Sequence, residues 1–232
     1  MDIVALRELN AARAARKAAV LLTDLADGSA RVVGEEQAGP GELGAAIAKA
    51  LRSGVSTTVE ADGGPFFLNV YLPPPRIVVI GAVHISQALA PMARIAGYDL
   101  EVIDPRTAFA TPERFEGVSL FADWPETVLA ERPLDAYSAL AAVTHDPKID
   151  DFALMAAIQA GCFYVGALGS RKTHAKRVER LAALGADEAG IASIAAPIGL
   201  DIGAASPAEI AVAVLAQIIA AFRSRGLKAA AS

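Results

Sequence analysis

Four short polar loops hold the residues that could do chemistry: Gly81-Ala82-Val83-His84, Asp104-Pro105-Arg106, Thr144-His145-Asp146 and Gly169-Ser170-Arg171-Lys172. Each follows a short apolar run that reads as a buried strand. The last loop is the most unusual electrically. Ser170-Arg171-Lys172-Thr173-His174-Ala175-Lys176-Arg177 puts cations in the first turns of a helix, where the macrodipole is already positive. An anion would offset that arrangement, and exposed N–H groups at Gly169 and Ser170 would supply donors. The alternative is a solvated basic face paired with acids such as Glu179.

The first loop stands where a Gly-x-Gly-x-x-Gly dinucleotide turn would stand, but it reads Gly81-Ala82-Val83-His84-Ile85-Ser86. The second glycine lets the backbone approach a pyrophosphate, and Val83 puts a branched side chain there. Ser86 replaces the third glycine, which secures close helix–strand packing. An ordinary NAD site is therefore disfavoured. Asp104 lies about 20 residues further on, where an acid can grip a ribose hydroxyl or simply cap the turn before Pro105. Arg106 could pair with it or hold a phosphate.

The three histidines, His84, His145 and His174, fall at or near these loops, but their spacing matches no metal motif. His145 beside Asp146 could orient a ligand or act as acid or base, and Asp146 could equally cap a helix. Asp150 and Asp151 sit in early helical turns, where negative charge is favourable in any case. No Ser/His/Asp order or Gly-x-Ser-x-Gly elbow appears, so no catalytic residue is assigned.

The elements that position these loops alternate. Strands are expected at Arg76–Ile80, Asp99–Ile103, Val118–Phe121, Ser138–Val143 and Phe163–Val165. Between them lie helices at His84–Ala96, Trp124–Glu131, from Pro147 to Ala160, and Ser170–Leu184. Ser206-Pro207-Ala208-Glu209 is a capping box with Pro at N1, opening a last helix that Gly226 should stop near Arg225. Apolar strands alternating with helices imply an α/β fold, a Rossmann-like doubly wound parallel sheet.

The preceding residues differ. A helix over 2–17, strands at 17–25 and 30–34, a helix over 41–52, and strands at 55–60 and 66–71 make a small N-terminal α+β domain, residues 1–72. Pro73-Pro74-Pro75 is a stiff linker to the domain spanning 76–232.

Composition narrows the function classes. Apolar residues make up 54% of the chain and charged residues 20%, enough for sizeable cores. The net charge of −5, without a long basic run, gives no reason to expect a nucleic-acid partner. One cysteine, Cys162, excludes an internal disulfide and suits a reducing cytoplasm. The opening Met1–Leu9 mixes charges into its apolar pattern, unlike a signal peptide. The apolar run Ile210–Phe222, interrupted by Gln217, is shorter than a membrane span of about 20 residues.

Together the loops resemble one family. The segments Gly81-Ala-x-His84-Ile, Asp104-Pro105-Arg106, Thr144-His145-Asp146-x-x-x-Asp150 and Gly166-Ala-Leu-Gly169-Ser170-Arg171-Lys172-x-His174 carry the likeness. So do Pro197-Ile-Gly199-Leu200-Asp201-Ile-Gly203 and Ser206-Pro-x-Glu209-Ile-Ala. Over about residues 76–225 they look like the C-terminal Rossmann domain of the XdhC/CoxI family, accessory proteins of molybdenum hydroxylases of the xanthine dehydrogenase type. Val83 departs from the family's Gly-Ala-Gly-His turn, and the N-terminal segment lacks the family's cysteine-bearing motif.

The resemblance implies a chaperone more than an enzyme. It would bind molybdenum cofactor, as molybdopterin or a dinucleotide form, protect it during sulfuration with a cysteine desulfurase, and deliver it to the apo molybdenum hydroxylase. The cofactor-binding residues would be Gly81, His84, Asp104, Arg106, His145, Asp146, Gly169, Ser170, Arg171, Lys172 and Asp201. An exposed apolar face on the last helix would permit a homodimer. The alternatives are a Rossmann oxidoreductase using NAD(P) and a protein-interaction module.

Overall fold

The computed structural model describes residues 3–228, with side chains as far as Ser224. Two compact units divide the chain, one carrying the residues up to Pro73 and the other running from Pro74 to Arg223.

The first unit contains α1 (Ile3–Ala14), β1 (Ala19–Asp24), β2 (Ala30–Gly34), α2 (Gly41–Ser53), β3 (Thr57–Ala61) and β4 (Gly64–Tyr71). Its strands form one antiparallel sheet in the order β2-β1-β4-β3. Asp62 and Gly63, both at positive φ, make the tight turn between β3 and β4 that matches strand twist. Ala5 and Leu9 form the buried stripe of α1, whereas Ile3 and Leu6 are exposed. The expected face of that helix, centred on Ile3, Leu6, Leu9 and Ala12, is therefore rotated.

The second unit runs β5 (Arg76–Ile80), α3 (His84–Ile95), β6 (Asp99–Ile103), β7 (Ser119–Phe121), α4 (Pro125–Glu131), β8 (Ser138–Ala142), α5 (Pro147–Gln159), β9 (Tyr164–Ala167), α6 (Arg171–Ala183), α7 (Glu188–Ala192), β10 (Ile194–Ala195) and α8 (Pro207–Lys228). All six strands are parallel, in the order β10-β9-β8-β5-β6-β7. That is the doubly wound order, with the reversal between β5 and β8.

Alternation along β5 sends Ile77 and Val79 to one face and Val78 and Ile80 to the other. The first face packs on Leu89 and Ala93 of α3 and on Ala211, Val214 and Ile218 of α8. The second packs on Ile149, Ala153 and Leu154 of α5 and Leu181 of α6. Every residue of β5 and β8 is buried, which explains why both strands read as continuous apolar runs.

Two features depart from expectation. The sixth strand, Ile194–Ala195, is too short for periodicity to reveal. α8 continues through Gly226, since a glycine within a helix costs only about 1 kcal/mol. Its Pro207–Ser224 stretch is also long and apolar enough, by length and composition, to cross a membrane. Ala211, Val214 and Ile218 are nevertheless fully buried against the sheet. Gln217 Oε1 accepts from the Tyr164 hydroxyl at 2.7 Å and from Gly199 N–H at 2.8 Å, which fixes the helix rotation.

Candidate functional site

The strand ends place the candidate loops beside the reversal point. Gly81 closes β5 with φ +122°, and a Cβ there would come within 2.9 Å of Thr144 Cγ2 and 3.3 Å of Thr144 N. Only glycine fits so close to the end of β8. The turn that follows is tied internally. Ser86 is fully buried, accepts from Val83 N–H at 2.8 Å, and lies 2.6 Å from Gly81 O, to which its hydroxyl can donate. The Val83 N–H, which a phosphate would need, is thus engaged by a side chain. Ser86 does more than partly replace a glycine: it ties the turn together from the buried side.

Asp104 is fully buried at the end of β6 and saturated with donors. Its Oδ2 accepts from Ala82 N–H at 2.7 Å and Arg106 Nη2 at 2.8 Å. Its Oδ1 accepts from Arg106 N–H and Nε, each at 2.9 Å. Burial opposes its ionisation, but the Arg106 fork and the two backbone donors outweigh it and hold the carboxyl below the ordinary value. Arg106 also stacks over Phe109, 4.8 Å from the ring centroid. This is a pre-formed brace between the first two loops, with little of the carboxylate left for a ribose.

On the other side of β5, α5 and α6 border an open cleft of about 330 Å³. His145 and Pro147 line it from the β8–α5 loop, and Lys172, Thr173 and Lys176 from α6. Asp150 and Arg177 also line it, although they are only 1% and 2% exposed.

The local sequence explains this placement. Asp146 caps α5 by accepting from Lys148 N–H at 3.0 Å, with Pro147 in the first turn. Ser170 caps α6 by accepting from Thr173 N–H at 3.2 Å. Gly169, at φ +134°, lets the chain pass close to Thr173. His145 has a left-handed backbone, φ +66°, a conformation uncommon for a non-glycine residue and concentrated at functional sites.

The cleft floor contains polar atoms without partners. Asp150 Oδ1 accepts from the Thr144 hydroxyl at 2.7 Å, but its Oδ2 has no hydrogen-bond partner. Arg177 Nη2 donates to Leu168 O at 2.8 Å, while its Nε and Nη1 are buried and unpartnered. No ion pair within 4 Å joins the two residues among those described. Burial pushes Asp150 up to about 6, against the Thr144 hydrogen bond and the Arg177 charge. Nearby, His174 Nδ1 is buried without a partner, and burial together with Arg177 lowers its pKa. Buried polar groups are normally satisfied, so these atoms are the candidate ligand contacts of the cleft.

The eleven candidate residues therefore fall into separate groups. His145 and Lys172 share the cleft, with Gly169 and Ser170 at its α6 edge. Gly81, Asp104 and Arg106 form the hydrogen-bonded brace. Asp146 and Ser170 spend a side-chain oxygen on capping. Arg171 and His84 are exposed at the starts of α6 and α3, and Asp201 is exposed on the loop before α8. The sequence marks Arg177 as the last cation of the α6 start and Asp150 as an early-turn acid, but puts neither among the eleven cofactor-binding candidates. A signal existed for Arg177: it lies on the same stripe of α6 as buried Leu181, where an arginine is out of place.

Among the described residues no group of three His, Cys, Asp or Glu side chains could hold a metal ion. Cys162 is half-buried, and burial, reinforced by Asp135, pushes its thiol up to about 12.

The second unit thus has a Rossmann-type architecture whose first turn keeps only one of the three usual glycines and whose open polar cleft lies between α5 and α6. Residues 77–218 match the XdhC Rossmann domain, and the chain belongs to that family. It is 34% identical to the Escherichia coli (strain K12) protein YqeB over 72% of this chain and 31% of that protein. It is 32% identical to a probable xanthine dehydrogenase subunit of Bacillus subtilis (strain 168), over 66% of this chain and 44% of that one. To the molybdenum cofactor insertion chaperone PaoD of Escherichia coli (strain K12) it is 29% identical, over 62% and 39%. The chain therefore spans about a third to under half of the length of these curated relatives. A crystal structure of a xanthine dehydrogenase from Bacillus halodurans shares the fold, with a TM-score of 0.65 at 23% identity over 98% of this chain and 68% of that one.

Proposed function

We propose that this chain is an accessory chaperone for a molybdenum hydroxylase of the xanthine dehydrogenase type. It binds molybdenum cofactor as cargo, shields it during sulfuration by a cysteine desulfurase, and passes it to the apo hydroxylase in the cytoplasm. Residues 76–232 supply the binding domain and residues 1–72 a small companion domain. A homodimer is part of this reading, with exposed Val212 on α8 as a candidate contact.

One observation carries the ligand assignment: buried Arg177 offers two unpartnered donors at the floor of a cleft that also holds Lys172 and Lys176. The cargo is anionic and bears a phosphate, which this donor set fits. Gly169, Ser170 and Arg171 border the same helix start. His145 can orient the ligand from the opposite wall. Gly81, Asp104 and Arg106 brace the loops, and Asp146 anchors α5. His84 and Asp201 extend the site along the strand ends. The cargo carries the redox chemistry, and this chain's residues only hold, orient and screen it.

The test mixes purified chain with molybdopterin, its dinucleotide forms and NAD(P)H, then adds apo hydroxylase with and without desulfurase. Molybdopterin or dinucleotide binding followed by hydroxylase activation is expected. Binding of NAD(P)H with turnover, and no binding of either cofactor form, would replace this reading with an oxidoreductase. Retention of the hydroxylase without any cofactor binding would leave an interaction module.

A further inference from the structure

We propose that the cleft between α5 and α6 takes a phosphoryl group that carries a proton, with Asp150 accepting that proton's hydrogen bond and Arg177 donating to a neighbouring oxygen. This rests on the reading above and deepens it, since it selects a terminal phosphomonoester over a diester or pyrophosphate linkage.

The floor of the cleft carries mixed charge. Arg177, Lys172 and Lys176 favour an anion, yet Asp150 stands among them with one oxygen unsatisfied. Thr144 holds the other oxygen, so the carboxylate cannot turn away. Arg180, which also lines the cleft, feels the Asp150 charge but makes no hydrogen bond to it, being committed to Asp151 through Nε–Oδ2 at 2.5 Å and Nη2–Oδ1 at 3.0 Å. Arg106 is bound to Asp104. A fully ionised oxyanion would set lone pairs against Asp150 Oδ2, which is repulsive in a poorly solvated place.

An oxyanion with one P–OH resolves the conflict. The P–OH donates to Asp150 Oδ2, and the ionised oxygens accept from Arg177 Nε or Nη1 and from the lysines. One group then satisfies Asp150 Oδ2 together with one of the two free Arg177 donors. The raised proton affinity of buried Asp150 strengthens the shared hydrogen bond. A phosphomonoester, whose second pKa is about 6, can carry the proton near neutrality. A phosphodiester has no proton to offer.

Two dianions of similar size separate this from ordinary anion binding. At pH 8 inorganic phosphate retains one P–OH and sulfate has none. Calorimetric titration of the full chain should show phosphate binding about tenfold or more tightly than sulfate. Asp150→Asn, whose amide can donate, should abolish the preference by raising sulfate affinity. Glycerol 3-phosphate, which lacks the proton at pH 8, should bind with uptake of about one proton from buffer. His145, Lys172 and Lys176 face either dianion in the same way, so the ratio isolates Asp150.

Equal affinities for the two dianions in the unmodified chain, or no binding of either, would overturn the proposal. Because these probes contain no pterin, phosphate selectivity without molybdopterin binding would sink the chaperone reading alone. Molybdopterin binding without phosphate selectivity would sink only this inference.

Discussion

Thr144 donates its hydroxyl hydrogen to Asp150 Oδ1 at 2.7 Å, and both residues are buried. The same hydroxyl oxygen accepts from Asp146 N–H at 2.9 Å. One side chain therefore shapes the β8–α5 loop and fixes the carboxylate at the cleft floor.

Asp150 makes folding stability depend on pH. Its pKa rises from 3.8 to about 6 on folding. The folded state then binds the proton more tightly, so the favourable contribution is complete below about 3.8 and is lost as pH climbs through about 6. Asp150→Asn does not titrate. Relative to the unmodified chain, its stability should gain on the order of 3 kcal/mol between pH 4 and 7. Urea unfolding across that range would show it, and a constant difference would contradict the assignment.

Gly81→Ala should destabilise the second unit by about 2–4 kcal/mol. The residue adopts φ +122°, and the new Cβ would press on Thr144 Cγ2 and on the Thr144 backbone. Chemical denaturation followed by circular dichroism measures the loss. A change below about 0.5 kcal/mol would mean the turn relaxes freely.

Glu101→Gln should lower stability while sparing anion binding. Glu101 is buried in the middle of β6, 2.5 Å from Arg132 Nη2 and 3.7 Å from Arg76 Nη1, whose residue opens β5. Buried Arg76 is otherwise held by Ser138 Oγ at 3.0 Å and by Pro133 O. Removing the carboxylate charge leaves Arg76 poorly compensated, at a cost of about 3 kcal/mol. Phosphate titration at a temperature where the variant is folded should match the unmodified chain, because this cluster lies at the opposite end of the strands.

Cys162 should react slowly with a thiol-specific disulfide reagent at pH 8. Its thiol, pushed up to about 12, supplies little thiolate. Labelling that speeds up in denaturant fits this environment. Rapid labelling of the native chain would contradict it.

The doubly wound fold was readable because β5 and β8 are largely apolar runs followed by Gly81 and Thr144, and β6, though it carries Asp99 and Glu101, ends in Val-Ile before Asp104, with helix-capping signals after β5 and β8. The β10 strand was not, because Ile194–Ala195 pairs through backbone groups that leave no pattern in side chains. The cleft was half legible. Lys172 stood out against the helix dipole, but Asp150 looked like an ordinary first-turn acid. Its orphaned oxygen depends on Arg177, far along the chain, stopping short of an ion pair. The status of Asp104 likewise needed the Ala82 N–H and the Arg106 fork, which spacing suggests but does not prove.

The position of the Thr144 methyl against Gly81 has a further consequence. Gly81 governs how closely the end of β8 may approach β5, and Thr144 carries that spacing to Asp150. A bulkier residue at position 81 would be felt first as a displaced hydroxyl and then as a changed proton affinity in the neighbouring cleft. In this chain, steric room at one strand end sets where the hydroxyl that holds the next strand's acid can stand.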